Sequence, residues 1–221
     1  MAGYAADYLL PFTGWLLAFS AADSFITAKG LQSPYYAVHA AHNALIVWST
    51  AGEVVNTFTD FAHLATYSPN LSAATAVAAL HVYHILMYMD KLRLDDWLHH
   101  VLMIFVALPI GVLYPSSTLL GFSLFFSTGL PGGIDYLLLF GVRNGLVARG
   151  TEKRVNRWLN VWIRAPGCCA HAALSLAYIL GFAKAEFAPL MLLPSVLMYW
   201  NGQYFMQQVV ADEERSRVRL D

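Results

Sequence analysis

Long apolar runs recur along the chain, each bounded by charged residues or by Pro and Gly clusters. They predict seven helical spans, near residues 8–28, 36–58, 71–89, 97–114, 118–142, 159–182 and 188–210. Each is close to the roughly 20 apolar residues that a helix needs to cross the hydrocarbon. The runs are continuous, not alternating, which excludes the strands of a membrane barrel. A polar linker, 143–157, separates the fifth run from the sixth. The expected fold is therefore all-α, a polytopic membrane bundle of about seven transmembrane helices. Residues 1–34 form its first helix and loop, 35–210 its main transmembrane domain, and 211–221 a charged tail.

Composition narrows the class. Of 221 residues 58% are hydrophobic and 12% charged, about half the charged share of a soluble domain. The mean hydropathy is +0.51. Thirteen Lys and Arg face 14 Asp and Glu, so the cationic excess of a nucleic-acid binder is missing and no nucleic-acid partner is expected. Cys168 and Cys169 are adjacent and cannot staple a disulfide scaffold; they read as small apolar residues near a helix start, with S-palmitoylation as the sharper alternative. Met1-Ala2-Gly3-Tyr4 lacks the basic start of a signal peptide.

Charge then sets orientation. With seven spans, every Lys and Arg except Lys184 falls on one side. The positive-inside rule makes that side cytosolic, with the C-terminus on it and the N-terminus opposite. A sequon, Asn70-Leu71-Ser72, lies in the short predicted outer loop after span two.

The polar residues inside the spans carry the candidate chemistry. An ionisable group at mid-bilayer costs roughly 2.5–3.5 kcal/mol on insertion scales, so such groups face a cavity or a partner. Asp23, His39, His42, Asn43, His81, His84, His99, His100, Asp135 and Asn201 all map to the cytosolic half of their spans. That common depth predicts one polar cavity walled by apolar side chains. His81 and His84 share a helix face, as do His39 and His42. Asp95 and Asp96 each precede an imidazole by four residues, His99 and His100, and would orient it for acid–base work. His171 and His63 read as structural, and Glu53 has no assigned role.

Eight histidines raise the question of iron. The chain holds HxxH twice and one bare HH, short of the histidine boxes of membrane di-iron enzymes. Its histidines cluster at one depth, unlike the two layers of a two-haem cytochrome. No metal ligand set is therefore assigned, and a haem or di-iron oxidoreductase is the weakest alternative. A retinal protein would need a lysine inside a late span, whereas Lys184 falls in a loop.

The segment Asp95-Asp96-Trp97-Leu98-His99-His100-Val101-Leu102-Met103 resembles the signature of the TLC-domain family, which includes the ceramide synthases. The preceding His81-to-Asp90 segment resembles that family's aromatic helix, and the likeness runs from about Tyr35 to Tyr204. Two departures bring the chain nearer the small TLC proteins than the ceramide synthases. Met103 stands where the ceramide synthases carry Thr, and Leu130-Pro131-Gly132-Gly133-Ile134-Asp135 keeps only the last carboxylate of their HDxxD. The resemblance implies a membrane-lipid partner and residence in the endoplasmic reticulum or another endomembrane. For an enzyme it implies acyl transfer to a membrane lipid with acyl-CoA as cosubstrate and no covalently bound cofactor. His99 or His100 would be the general base or a transient acyl acceptor, with Asp95 and Asp96 orienting it. His81, His84, Asp135, His39, His42 and Asn201 would line the substrate site. The rival reading is a non-catalytic lipid-binding or structural subunit, in a membrane complex or a homo-oligomer. Pro131, Gly132 and Gly133 are expected to interrupt the fifth span beside the site.

The orientation has a direct check: in sealed microsomes a C-terminal tag is expected to be cleaved by added protease without detergent, and full protection reverses it.

Overall fold

The apolar runs fold as seven long helical elements among the residues that the computed structural model describes, 8–67, 70–113, 117–182 and 188–218. They are α1 (Leu10–Ala28), α2 (Pro34–Thr59), α3 (Leu71–Tyr88), α4 (94–113), α5 (117–143), α6 (149–182) and α7 (Ala188–Val218). Residues 1–7, Lys184 and Arg219, which entered the sequence reading, lie outside the described residues.

Local chemistry sets the ends. Gly30, at φ 73, takes the left-handed position that closes α1. Pro34 opens α2 at a position whose N–H would be unpaired anyway. Asn70 caps α3, accepting from the Ala73 N–H at 3.0 Å, and its Nδ2 donates to the Ser49 carbonyl at 2.8 Å. Both ends of that amide are therefore engaged, which sets the Asn70 sequon against glycan attachment. The Arg93 N–H donates to Asp96 at 3.0 Å and closes the first turn of α4.

Four stretches are long and apolar enough to cross a membrane: Leu71–Lys91, Leu94–Val112, Leu119–Arg143 and Arg149–Gly181. Helices α1, α2 and α7 have the length but carry more polar residues, so the expectation of seven spans is met in part. Their polar groups turn inward: Asp23, His39, His42, Asn43, Thr50 and Thr57 are buried. Large apolar side chains turn outward instead, with Trp48 84% exposed and Leu180 79%. Hydrocarbon carries no penalty for such a surface.

Two boundaries differ from the sequence reading. Most of the expected polar linker is helical: α6 begins at Arg149, leaving 144–148 as the loop. The expected charged tail continues α7 to Val218. Each charged segment supplies the other's partners, through Lys153 with Asp212 and Arg157 with Glu213 at 2.8 Å. Cys168 is fully buried, directly beneath Gly202 of α7, which explains a small residue there and closes it to acylation.

The expected break at Pro131-Gly132-Gly133 is a wide turn instead. Proline has no N–H to give to the preceding turn, and the chain widens at Phe125–Gly129, where the Leu130 N–H reaches the Phe125 carbonyl. Helix α5 then runs unbroken to Arg143. Gly132 and Gly133 let α2 approach closely: a Cβ at Gly132 would lie 2.8 Å from Asn43 Nδ2. Similar wide turns occupy Met103–Ala107 in α4 and Asn160–Arg164 in α6.

Helix α1 is tied to α3 by one polar contact, in which the Tyr83 and Tyr88 hydroxyls both donate to the buried Asp23 carboxylate. Asp23→Ala strands both hydroxyls and is expected to cost about 2 kcal/mol or more, read as a lowered unfolding temperature in detergent. Asp23→Asn, which can still accept one of them, should cost less.

Candidate functional site: a histidine row beside an elongated cavity

The HH pair cannot point one way, because consecutive helical residues diverge by about 100°. His99 faces a cavity of about 700 Å³ between α4, α5, α6 and α7, and stays open to it. His100 turns to α3, is buried, and does not line this cavity. The rings form a row: His39 to His84 at 4.9 Å, His84 to His100 at 5.1 Å, His100 to His81 at 5.1 Å and His81 to His99 at 5.3 Å between centroids. Three helices thus bring five of the singled-out histidines together.

Hydrogen bonding fixes the tautomers in that row. The Val77 carbonyl can only accept, so His81 Nδ1 carries the proton and donates to it at 2.8 Å. A neutral His81 then has a bare Nε2, which takes the Nε2–H of His99 at 3.3 Å. His99 is left with its Nδ1 lone pair free, the form a general base needs. His39 Nδ1 likewise donates to the Tyr35 carbonyl at 2.7 Å.

The cavity is polar at one end and apolar at the other. At the polar end His81, His99, Asp95, Asp96, Asp135, Arg164 and Asn201 reach its surface. Beyond them the wall is mostly apolar, with Met103, Leu108, Leu120, Leu124, Ile179 and Met191, and is interrupted by Ser123, His171, Ser175 and Ser195. Asp135 Oδ1, Arg164 Nε and Asn201 Oδ1 are buried without a hydrogen-bond partner, which leaves one donor and two acceptors available to a ligand. Each of the three wide turns sends at least one residue to this wall: Met103 from α4, Ser127 and Thr128 from α5, Arg164 from α6. Such turns are frequent at functional sites.

Several expected residues sit elsewhere or act otherwise. Asp95 pairs with Arg93, and Asp96 closes the α4 cap, so neither is hydrogen-bonded to an imidazole. The four-residue spacing was real, but first-turn carboxylates are claimed by the helix start and its arginine. His39 lies behind the cavity. His42 is packed edge-on to Phe19 at 5.7 Å, and its Nδ1 donates to Asn43 at 2.9 Å. His84 lines a smaller neighbouring cavity. Among the described residues no three His, Cys, Asp or Glu are grouped to hold a metal ion.

Arg164 escaped sequence reasoning because charge counting placed it in a loop. It lies inside α6, donates to Asn160 at 3.0 Å and stacks 5.1 Å from the Phe205 ring centroid. The signal was a lone cation within the apolar run Val161 to Ala165. His171, read as structural, also reaches the apolar wall.

No family model, curated protein or solved structure matches the chain.

Selective ¹⁵N labelling of histidine tests the row: His81 and His39 are expected to give Nδ1–H signals, and His99 Nε2–H. The His99 signal should change in a His81→Phe variant, which removes its acceptor.

Proposed function

We propose that the chain is an integral-membrane lipid-handling protein of the TLC kind, resident in an endomembrane with its C-terminus in the cytosol. The observation that carries this reading is the cavity of about 700 Å³, apolar at one end and bearing His99 and Arg164 at the other. An acyl chain fits the apolar end, and the buried unpaired groups suit the polar part of the same molecule.

The chemistry this arrangement supports best is acyl transfer from acyl-CoA to an amine or hydroxyl of a membrane lipid. His99 Nδ1 takes the proton as the acceptor nitrogen or oxygen attacks the thioester carbonyl. The carbon–sulfur bond breaks, and the proton passes from His99 to the departing thiolate. Arg164 faces the developing oxyanion, and Arg93 stands at the cavity edge for phosphates. His81 fixes the His99 tautomer, and His100 packs the row from behind.

A second reading has its own support. Because Asp95 and Asp96 are occupied by Arg93, His99 has no carboxylate partner, which favours a non-catalytic lipid-binding subunit.

Mass spectrometry of the purified protein is expected to find a bound acyl lipid. His99→Ala should lower transfer from acyl-CoA by about 10²-fold or more, with lipid content and fold kept. Wild-type protein that binds lipid but transfers nothing selects the second reading, and protein that binds no lipid overturns both.

A further inference from the structure

A second cavity, of about 280 Å³, lies beside the large one between α2, α3, α4 and α5. Its walls are aromatic. Tyr35 packs 5.0 Å from Tyr88 and 5.4 Å from His84, stacked on the imidazole. Tyr36 packs 4.1 Å from Tyr35 and 5.8 Å from Tyr136. Tyrosines at a membrane interface ordinarily face outward to the headgroups. These four are half-buried and gathered on one hollow.

Two carboxylates, Asp96 and Asp135, complete the wall. Asp135 Oδ1 is buried with no hydrogen-bond partner. Ring faces and carboxylates both attract positive charge, and aromatic cages with this composition suit quaternary ammonium groups. The hollow already draws a cation of the chain: Lys91 Nζ lies 5.3 Å above the Tyr88 ring centroid. Lys91 also lines the cavity and is otherwise exposed, so it can meet an anion carried next to the ammonium.

We propose that this cavity binds a phosphocholine-type zwitterion, its trimethylammonium held among the rings of Tyr35, Tyr36 and Tyr136 and its phosphate met by Lys91. Asp135 balances the ammonium charge from behind, and Asp96, which Arg93 also engages, adds to the negative wall. The same two residues and Tyr136 also line the large cavity, so the two compartments share one wall. A lipid headgroup seated in the cage would therefore lie next to the apolar compartment. The assignment stands on the cage residues and is independent of transfer by His99.

The test uses the full chain in a maltoside detergent, which carries no choline. Phosphocholine, phosphoethanolamine and tetramethylammonium are titrated separately by calorimetry. Phosphocholine and tetramethylammonium are expected to bind, with phosphoethanolamine weaker. Tyr36→Leu combined with Tyr136→Leu should weaken both binders at least about tenfold. The corresponding Phe variants, which keep the rings, should not. Lys91→Ala should weaken phosphocholine and leave tetramethylammonium unchanged or tighter. His99→Ala should leave all three unchanged, which separates failure of the cage from failure of the transfer reading. Native mass spectrometry from nanodiscs of equal phosphatidylcholine and phosphatidylethanolamine identifies the source. Retention of the choline lipid assigns a membrane headgroup, and binding of free phosphocholine alone assigns a soluble ligand. No binding of either choline compound by free titration or nanodisc, equal binding by the Leu variants, or preference for phosphoethanolamine overturns the proposal.

Discussion

Hydrocarbon offers no hydrogen-bond partner, and this constraint orders the whole molecule. Every polar side chain that the helices carry into the bundle must find its partner on another helix, on its own backbone, or in a ligand. Asp23 finds two tyrosine hydroxyls of α3. Asn43 accepts from His42 and from Thr128 of α5. Thr50 and Thr57 return to carbonyls one turn back in α2. Some atoms find nothing: Asp135 Oδ1, Arg164 Nε, His171 Nδ1 and Asn201 Oδ1 belong to residues that line the large cavity, whereas His42 Nε2, Asn43 Nδ2, Glu53 Oε2 and His100 Nδ1 are left unpaired away from it. Packing of the fold and exposure of the site thus draw on the same kind of polar group, solved differently at different positions.

The basic end of the bundle is where these solutions gather. Gln32 and Asn144 join the α1–α2 and α5–α6 connections through two hydrogen bonds, at 2.9 and 3.1 Å. The ion pairs of α6 with α7 extend that end beyond the apolar core. Small residues set the distances beneath it. Gly132, Gly133 and Gly202 allow backbones to approach where a larger side chain would collide. Close helix contact through small residues is how membrane bundles gain packing energy when lipid tails compete as apolar neighbours.

Much of this was legible in the sequence, because continuous apolar runs, their charged bounds and the depth of each histidine depend on local composition alone. The His81 and His84 pair, three residues apart, indeed shares a face. What escaped depends on three-dimensional competition. Asp95 and Asp96 satisfy the same spacing to His99 and His100, yet a helix start and Arg93 claim them first. The strongly charged stretch from Arg149 to Arg157 reads as linker until Asp212 and Glu213 are seen beside it. Arg164 counts as a loop cation in any tally of sidedness, and its place inside α6 is visible only from the helix around it. The tyrosine hollow joins α2, α3 and α5, and no window of sequence contains it.

The wide turn at Asn160–Arg164 has a consequence for how such a chain varies. A turn of this kind holds one residue more than an α-helical turn, and the extra residue is absorbed within it. Losing a single residue there would leave a continuous helix, satisfied along its backbone, whose far side keeps close to its present bearing, with Cys168 still lodged beneath Gly202. The same loss a few positions on, in regular helix, would swing every later side chain by about 100°. The wide turn is therefore a place where the chain can shorten and refashion the cavity wall around Arg164 without turning the rest of the element that bears it.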